Sequence, residues 1–490
     1  VADQRIVVGT GRDGFVVAGP QQAVLVLGPP RSGKTSTLVV PNVRAAWGPV
    51  LSTSTKPDVL AATAAARAGR GRCWLYDPTG TVAVPEGLSP LRWSPVTGAA
   101  TWDGALLLAR AIVGAAQPAV GMTDGSHWTE RAEALLAPLL HAAAVAGRDL
   151  ATVLSWANRH DGRTAARLLG GGTAADLLEG ILATDKREQS SIWSTASGVL
   201  AAYRSDAALA SASAPNFDPR AFVASADTVF VCAAGRHQGL VAPLVAGLIE
   251  DVRAAAFDRA GARVTGDASR AAPSVWAGAE PPLLLALDEV ANIAPLPDLP
   301  ALVSEGGGQG VLTLACFQDL SQARRRWGPA ADGFGSLFGA TVVLPGIGDV
   351  RTLEALSVLC GSHDVWVRSE SADARRRSHT WSTRRQRRLD PDEVARGRPG
   401  HALWLGGGRA PSWTPLTPWW LVPGWAAAPE AGRRPPSVGP PPGALGPPRC
   451  LPDGASPAPV GPPPRPPGGP PPRGAGRPAR EGPSVGWGGR

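Results

Sequence analysis

The segment Gly28-Pro29-Pro30-Arg31-Ser32-Gly33-Lys34-Thr35 constrains this chain more than any other. It follows the apolar run Ala23-Val24-Leu25-Val26-Leu27 and leads into Ser36-Thr37-Leu38-Val39-Val40. That is the pattern G-x-x-x-x-G-K-[ST] in the setting it requires, a buried strand, a glycine turn and a helix start. Glycines let successive backbone N–H groups face inward on a phosphate. Residues Gly28, Pro29, Pro30, Arg31, Ser32, Gly33, Lys34, Thr35 and Ser36 are therefore the expected nucleotide-binding loop. Lys34 would reach the β- and γ-phosphates, and the Thr35 hydroxyl would hold Mg²⁺. Composition sharpens the point. Of 48 Lys+Arg residues only Lys34, Lys56 and Lys186 are lysine, so this chain otherwise writes positive charge as arginine.

With 490 residues, 44% of them hydrophobic, the chain can bury sizeable cores and hold two domains plus tails. Abundant Ala, Arg, Gly and Pro reflect a GC-rich coding bias, so single Arg or Ala enrichments carry little functional weight. The net charge of +8 is concentrated late, because residues 425–490 hold eight arginines against three carboxylates. Net charge alone thus does not mark a DNA-binding core. Cys73, Cys232, Cys316, Cys360 and Cys450 form no C-x-x-C pair. Three of them sit in apolar runs as small core residues, which fits a reducing cytoplasm and no zinc site. No run of eighteen apolar residues predicts a membrane span, and no signal peptide opens the chain.

Strand-like pieces Ile6–Val8 and Phe15–Val17 precede the phosphate loop, and the helix after Lys34 is expected to end near Pro41-Asn42. Strands Pro49–Thr53 and Cys73–Asp77 flank a helix from Asp58 to about Arg67, giving a β-α-β-α-β opening. Such alternation predicts a parallel sheet with helices on both faces. Between Trp93 and Asn216 helical periodicity takes over, with helices expected at Asp103–Val113, Trp128–Val145, Leu150–Arg159, Ala174–Ala183 and Glu188–Tyr203. His127, His141 and His160 are not at ligand spacing. Strands return at Thr228–Cys232, Leu283–Leu287, Gly310–Phe317 and Ala340–Pro345, with a helix at Val241–Arg259. A last β-rich piece runs from His401 to about Trp420. The Arg/Ser-rich stretch Arg368–Arg388 reads as an exposed loop or mobile segment. Beyond Trp425, Pro, Gly and Arg dominate, and disorder with local polyproline II is expected. The predicted divisions are 1–92 and 217–424 for the sheet domain, 93–216 for an all-α insertion and 425–490 for the tail.

A phosphate loop needs an acidic strand end, which Leu283–Leu287 followed by Asp288-Glu289 supplies. Asp288 would orient the Mg²⁺ shell and Glu289 would polarise the attacking water, so the pair points to ATP hydrolysis. A small-molecule kinase would not need that glutamate. Gln318, closing the strand Val311–Phe317, could contact the γ-phosphate and report its loss.

These segments resemble the type IV coupling proteins, TraG/TraD-like ring ATPases that bring DNA–relaxase complexes to conjugative type IV secretion channels. The resemblance spans roughly residues 20–420 and rests on Gly28–Thr35, Ser52–Asp58, Asp77–Gly80, Trp93–Pro95, Leu287–Ile293 and Gly310–Gln322. It implies a RecA-like P-loop core with an inserted all-α domain, a homo-hexameric ring and ATP-driven passage of single-stranded DNA. It assigns Lys34 and Thr35 to ATP and Mg²⁺, Asp288 and Glu289 to hydrolysis, and Gln318 to sensing. The segment after Asp288 resembles the region that docks relaxosome proteins, a TraM-recognition-like part. Family members usually begin with transmembrane helices, whereas only about two dozen residues precede the loop here. The resemblance therefore places the protein at the inner face of the cell membrane through a partner or an anchor missing from this sequence. Some relatives carry an arginine finger between the Asp-Glu and Gln strands, but Ser304–Gly310 contains no arginine. If a finger is used it must come from elsewhere, with Arg324, Arg325, Arg326 and Arg351 as candidates, though for any one of them a surface salt bridge is the favoured reading. Two other functions fit the same motifs, a nucleotide-dependent gate acting on protein effectors and an FtsK-type duplex-DNA pump.

Overall fold

Runs such as Val24–Leu27 and Leu283–Leu287 offer no polar residue to solvent, so as strands they must be covered on both faces. All nine residues of the two are buried. The computed structural model describes residues 4–12, 14–117, 125–233, 238–265, 280–373, 376–406 and 408–425. Its main sheet has ten strands. In spatial order they are Ser412–Pro415, His401–Gly406, Ala340–Val343, Val24–Leu27, Val311–Phe317, Leu283–Leu287, Val50–Ser54, Thr228–Cys232, Cys73–Tyr76 and Ser89–Pro90. From Ala340–Val343 to Ser89–Pro90 every pairing is parallel, and the two strands beyond it on the other side are antiparallel. The two apolar cores lie on opposite faces of this sheet, each strand alternating its side chains between them.

Register matters for function. Leu27 pairs with Phe317 and Leu287 with Ala315, so the phosphate loop, Gln318 and the Asp288-Glu289 pair leave the sheet at one edge. The Gln318 strand lies between the other two.

Arg67 closes the far edge. Its guanidinium is wholly buried and donates to Thr228 Oγ1 (2.7 Å), Gly48 O (2.8 Å) and Ala226 O (2.9 Å), as well as to Ala46 O. One planar fork thus ties a helix end to the loops before two strands, a geometry an ammonium could not reproduce. Burial pushes its pKa down to about 10, leaving it charged at neutral pH.

Between Ser89–Pro90 and Thr228–Cys232 the described residues form only helices. They include Trp102–Ala116, Gly125–Val145, Leu150–Arg159, Thr173–Leu182 and Lys186–Val199, near the expected bounds. Gly162–Leu169 was not anticipated, since Gly162 and Gly170–Gly172 hide its periodicity. The long helix Gln238–Thr265 packs along Trp102–Ala116 and extends past the expected Val241–Arg259 at both ends.

Two expectations are corrected. The helix after Lys34 does not stop at Pro41-Asn42 but runs to Ala45. Its first turn, Thr35–Val39, is π-helical, and Pro41 falls at the start of the α-helical part, where a missing N–H is tolerated. Asn42 stays buried by bonding Val7 N, Val7 O and Leu38 O. Second, Arg368–Arg388 is not a loop. Ser362–Asp373 and Arg376–Arg387 pair antiparallel over twelve residues each. Few apolar residues mark these strands, and none of their described side chains, 362–369 and 380–387, is fully buried. Residues 426–490, the bulk of the expected tail, lie outside the described residues, as do 266–279.

Asp251, on the long helix, accepts a 2.7 Å hydrogen bond from Trp93 Nε1. Burial pushes its pKa up to about 6, against the pull of that bond. A carboxyl raised on folding favours the native state below its unfolded pKa of roughly 4, and that contribution is lost as pH rises through about 6. Asp251→Asn keeps the acceptor and removes the charge. Urea denaturation is expected to find it more stable than wild type by about 1–3 kcal/mol at pH 8, with the gap closing by pH 4.

Candidate nucleotide-binding site

The loop leaves its strand at Gly28, whose N–H donates to Phe317 O (3.1 Å). A side chain is excluded there, since a Cβ would stand 2.7 Å from Ser32 Oγ and 2.9 Å from Leu344 Cβ. Ser32 N–H turns back to Pro29 O (3.3 Å), and Pro30 and Arg31 form the exposed tip. Arg31 (φ 65°) and Gly33 (φ 98°) both sit at positive φ, alternating with ordinary residues. That alternation turns successive amides toward one centre, the geometry of an anion nest. Lys34 is 5% exposed, its Nζ donating to Gly28 O (2.5 Å) and Pro29 O (3.1 Å). Ser36 Oγ and Thr37 Oγ1 both donate to Gly33 O, pinning the helix start.

The central contact is Thr35 Oγ1 donating to Asp288 Oδ2 at 2.7 Å. Asp288 is 5% exposed, and burial pushes its pKa up to about 6 although the Thr35 hydroxyl pulls it down. Its carbonyl accepts from Thr53 Oγ1 (3.1 Å), so the neighbouring strand braces it. Glu289 sits in the left-handed region (φ 54°, ψ 43°), uncommon for a residue with a side chain. Its carboxylate accepts from Asn292 Nδ2 (3.0 Å). Gln318, half-buried on the intervening strand end, donates its N–H to Gln322 Oε1 (3.0 Å). The structure thus gathers Gly28–Ser36, Asp288, Glu289 and Gln318 at one sheet edge, with Thr35 and Asp288 in direct contact.

These residues suit a magnesium-bound nucleoside triphosphate. The loop carries a buried lysine and two positive-φ turns, and a hydroxyl and a carboxylate already meet at 2.7 Å. Ser32 Oγ is buried with no hydrogen-bond partner among the described residues, an open polar atom inside the loop. A hollow of about 630 Å³ beside Trp47, Arg259 and Gly308 lies at the opposite edge and contains none of these groups.

Of the four arginines, three are held within the chain. Arg324 pairs with Asp332 (3.0 Å) and Asp349 (3.1 Å), and Arg351 with Asp332 (2.7 Å). Arg326 does something sequence reasoning missed. Its Nε donates to Ala291 O (3.0 Å), just after Glu289, and its Nη1 to Gln117 Oε1 (2.9 Å). Gln117 Nε2 donates back to Arg326 O (3.2 Å). One side chain therefore joins the segment after Glu289, the helix after Gln318 and the end of helix Trp102–Ala116. No motif announces it. Arg325 is exposed on the same helix.

The fold has known counterparts. The bacterial conjugative coupling protein TrwBdeltaN70 superposes with a TM-score of 0.64 and 18% identity, covering 85% of this chain and 88% of that one. TrwB in complex with the non-hydrolysable ATP analogue ADPNP matches at 0.62 and 19%, covering 85% and 90%. TrwB with ADP and Mg²⁺ matches at 0.62 and 19%, covering 85% and 89%. The chain has the RecA-like α/β fold of a conjugative coupling protein. Within it, residues 282–398 match the family model described as the TraM recognition site of TraD and TraG. No curated protein matches the chain by sequence. No helix among the described residues is long and apolar enough to cross a membrane.

Left-handed backbone costs a side-chain-bearing residue about 1–2 kcal/mol, part of which Glu289→Gly should recover. The variant is expected to raise unfolding stability by up to about 1 kcal/mol in urea titration, despite losing the Asn292 contact.

Proposed function

We propose that this chain is an ATP-dependent coupling protein that brings a DNA–relaxase substrate to a type IV secretion channel and drives DNA transfer by ATP hydrolysis. The observation that carries the reading is the Thr35–Asp288 contact, which joins the phosphate loop to the acidic strand end beside Glu289. The coupling-protein fold, the match of residues 282–398 to a TraM recognition site, and ADPNP and ADP–Mg²⁺ complexes of TrwB support it.

Gly28 to Ser36 would cradle the phosphates with backbone amides, with Lys34 supplying a buried positive charge. Thr35 and Asp288 would hold Mg²⁺, which when bound neutralises charge on the phosphate oxygens. Glu289 orients water and accepts its proton. Asn292 holds the Glu289 carboxylate at its left-handed turn. Gln318, just after the strand between the loop and the acidic pair, would sense the γ-phosphate. Any change there passes to the helix Leu320–Trp327, and through Arg326 to Gln117 and the helical region 93–216. In this reading that region is a domain inserted between 1–92 and 217–424, and the protein works as a homo-hexamer at the inner face of the cell membrane.

ATP turnover measured with and without single-stranded DNA tests the proposal. DNA is expected to stimulate turnover, and Glu289→Gln to lower it by about 10²–10⁴-fold. Arg326→Ala is expected to keep DNA-free turnover and lose the stimulation. Turnover indifferent to DNA would favour a gate acting on protein effectors.

A further inference from the structure

The paired strands Ser362–Asp373 and Arg376–Arg387 form a ribbon about 40 Å long at the usual rise per residue. They belong to no other sheet. The ribbon is held at its base, where Arg387 Nη1 pairs with Glu354 (2.7 Å) and donates to Ser357 Oγ (3.2 Å). Arg388 N–H closes it on Gly361 O (2.9 Å).

Two features set the ribbon apart from the rest of the chain. Between Ser362 and Arg388 there are eight arginines against three carboxylates, whereas the chain outside this ribbon and the 425–490 tail carries a net charge of −2. Positive charge in the folded body is therefore concentrated here. In addition, Trp366 is 68% exposed and Trp381 60%, a large apolar surface left in water. Trp366 pairs with Thr383 and Arg368 with Trp381, so the period of two puts both indoles on one face as diagonal neighbours. Arg385 lies on that same face, its Nε donating to Ser362 Oγ (2.6 Å).

We propose that this face of the ribbon binds single-stranded nucleic acid, with Trp366 and Trp381 stacking on bases and the arginines, Arg385 among them, meeting the phosphates. The proposal rests on the DNA-transfer reading above and names where on this chain the strand is held. Stacking platforms interleaved with guanidinium groups suit unpaired bases, whose π-faces are open, and suit no particular sequence. Duplex DNA hides those faces and would use the charge alone.

The test is fluorescence anisotropy of a labelled dT30 oligonucleotide, and of a 30-base-pair duplex, with the full 490-residue chain. One stacked base is worth roughly a 5- to 150-fold change in affinity. Trp366→Ala/Trp381→Ala is expected to weaken dT30 binding by at least about tenfold, to leave duplex binding within about twofold and to leave DNA-free ATP turnover unchanged. Trp366→Phe/Trp381→Phe, which keeps two aromatic faces, is expected to retain most of the affinity. Arg385→Ala is expected to reduce the slope of log Kd against log salt by about 1. Unchanged dT30 affinity in the double alanine variant overturns the proposal, as does an equal loss on the duplex. Unchanged dT30 affinity with lost binding of a polyglutamate peptide also overturns it, assigning the ribbon to an acidic protein. If wild-type turnover responds to DNA while the variant binds normally, only the ribbon assignment falls. If wild-type turnover ignores DNA, it is the motor reading that falls.

Discussion

A single hydrogen bond, from Thr35 to Asp288, joins residues 253 positions apart in the chain. It exists because parallel strands end at the same edge and because the register puts Leu27, Phe317 and Leu287 within two residues of one another along the sheet. A one-residue slip in either pairing would turn alternate side chains to the wrong face and carry the acidic pair away from the loop. The apolar cores on both faces forbid that slip. Packing remote from the chemistry therefore sets the distance between a hydroxyl and a carboxylate.

Much of this was legible beforehand. Strands Thr228–Cys232 and Leu283–Leu287 and helix Leu150–Arg159 lie where apolar runs and periodicity placed them. Fully buried strands have no choice but to be written in apolar residues, so the sheet advertises itself. The loop was legible for another reason, since glycines and a lysine were needed where the chain otherwise avoids lysine. The proximity of Thr35 to Asp288 was not contained in either motif alone and follows from strand order.

What escaped reading shares a physical cause, weak or solvent-facing patterning. None of the ribbon's described side chains is fully buried, so no apolar alternation marks it, and its arginines suggest a loop. The helix beyond Pro41 continues because a π-helical turn absorbs the proline, which residue preferences do not foresee. The Arg326–Gln117 link depends on two side chains 209 residues apart. The left-handed turn at Glu289 is likewise invisible, since glutamate is a poor choice for that backbone. Such a choice persists where the side chain is worth more than the conformational ease it forfeits.

The ribbon's arginines have a second physical consequence. Two twelve-residue strands paired only with each other leave two open edges of unsatisfied N–H and C=O groups. Edges of that length invite pairing with the same ribbon on another molecule. The ribbon's net charge of +5 opposes such pairing, so the groups offered to a polyanion also act as gatekeepers against self-association.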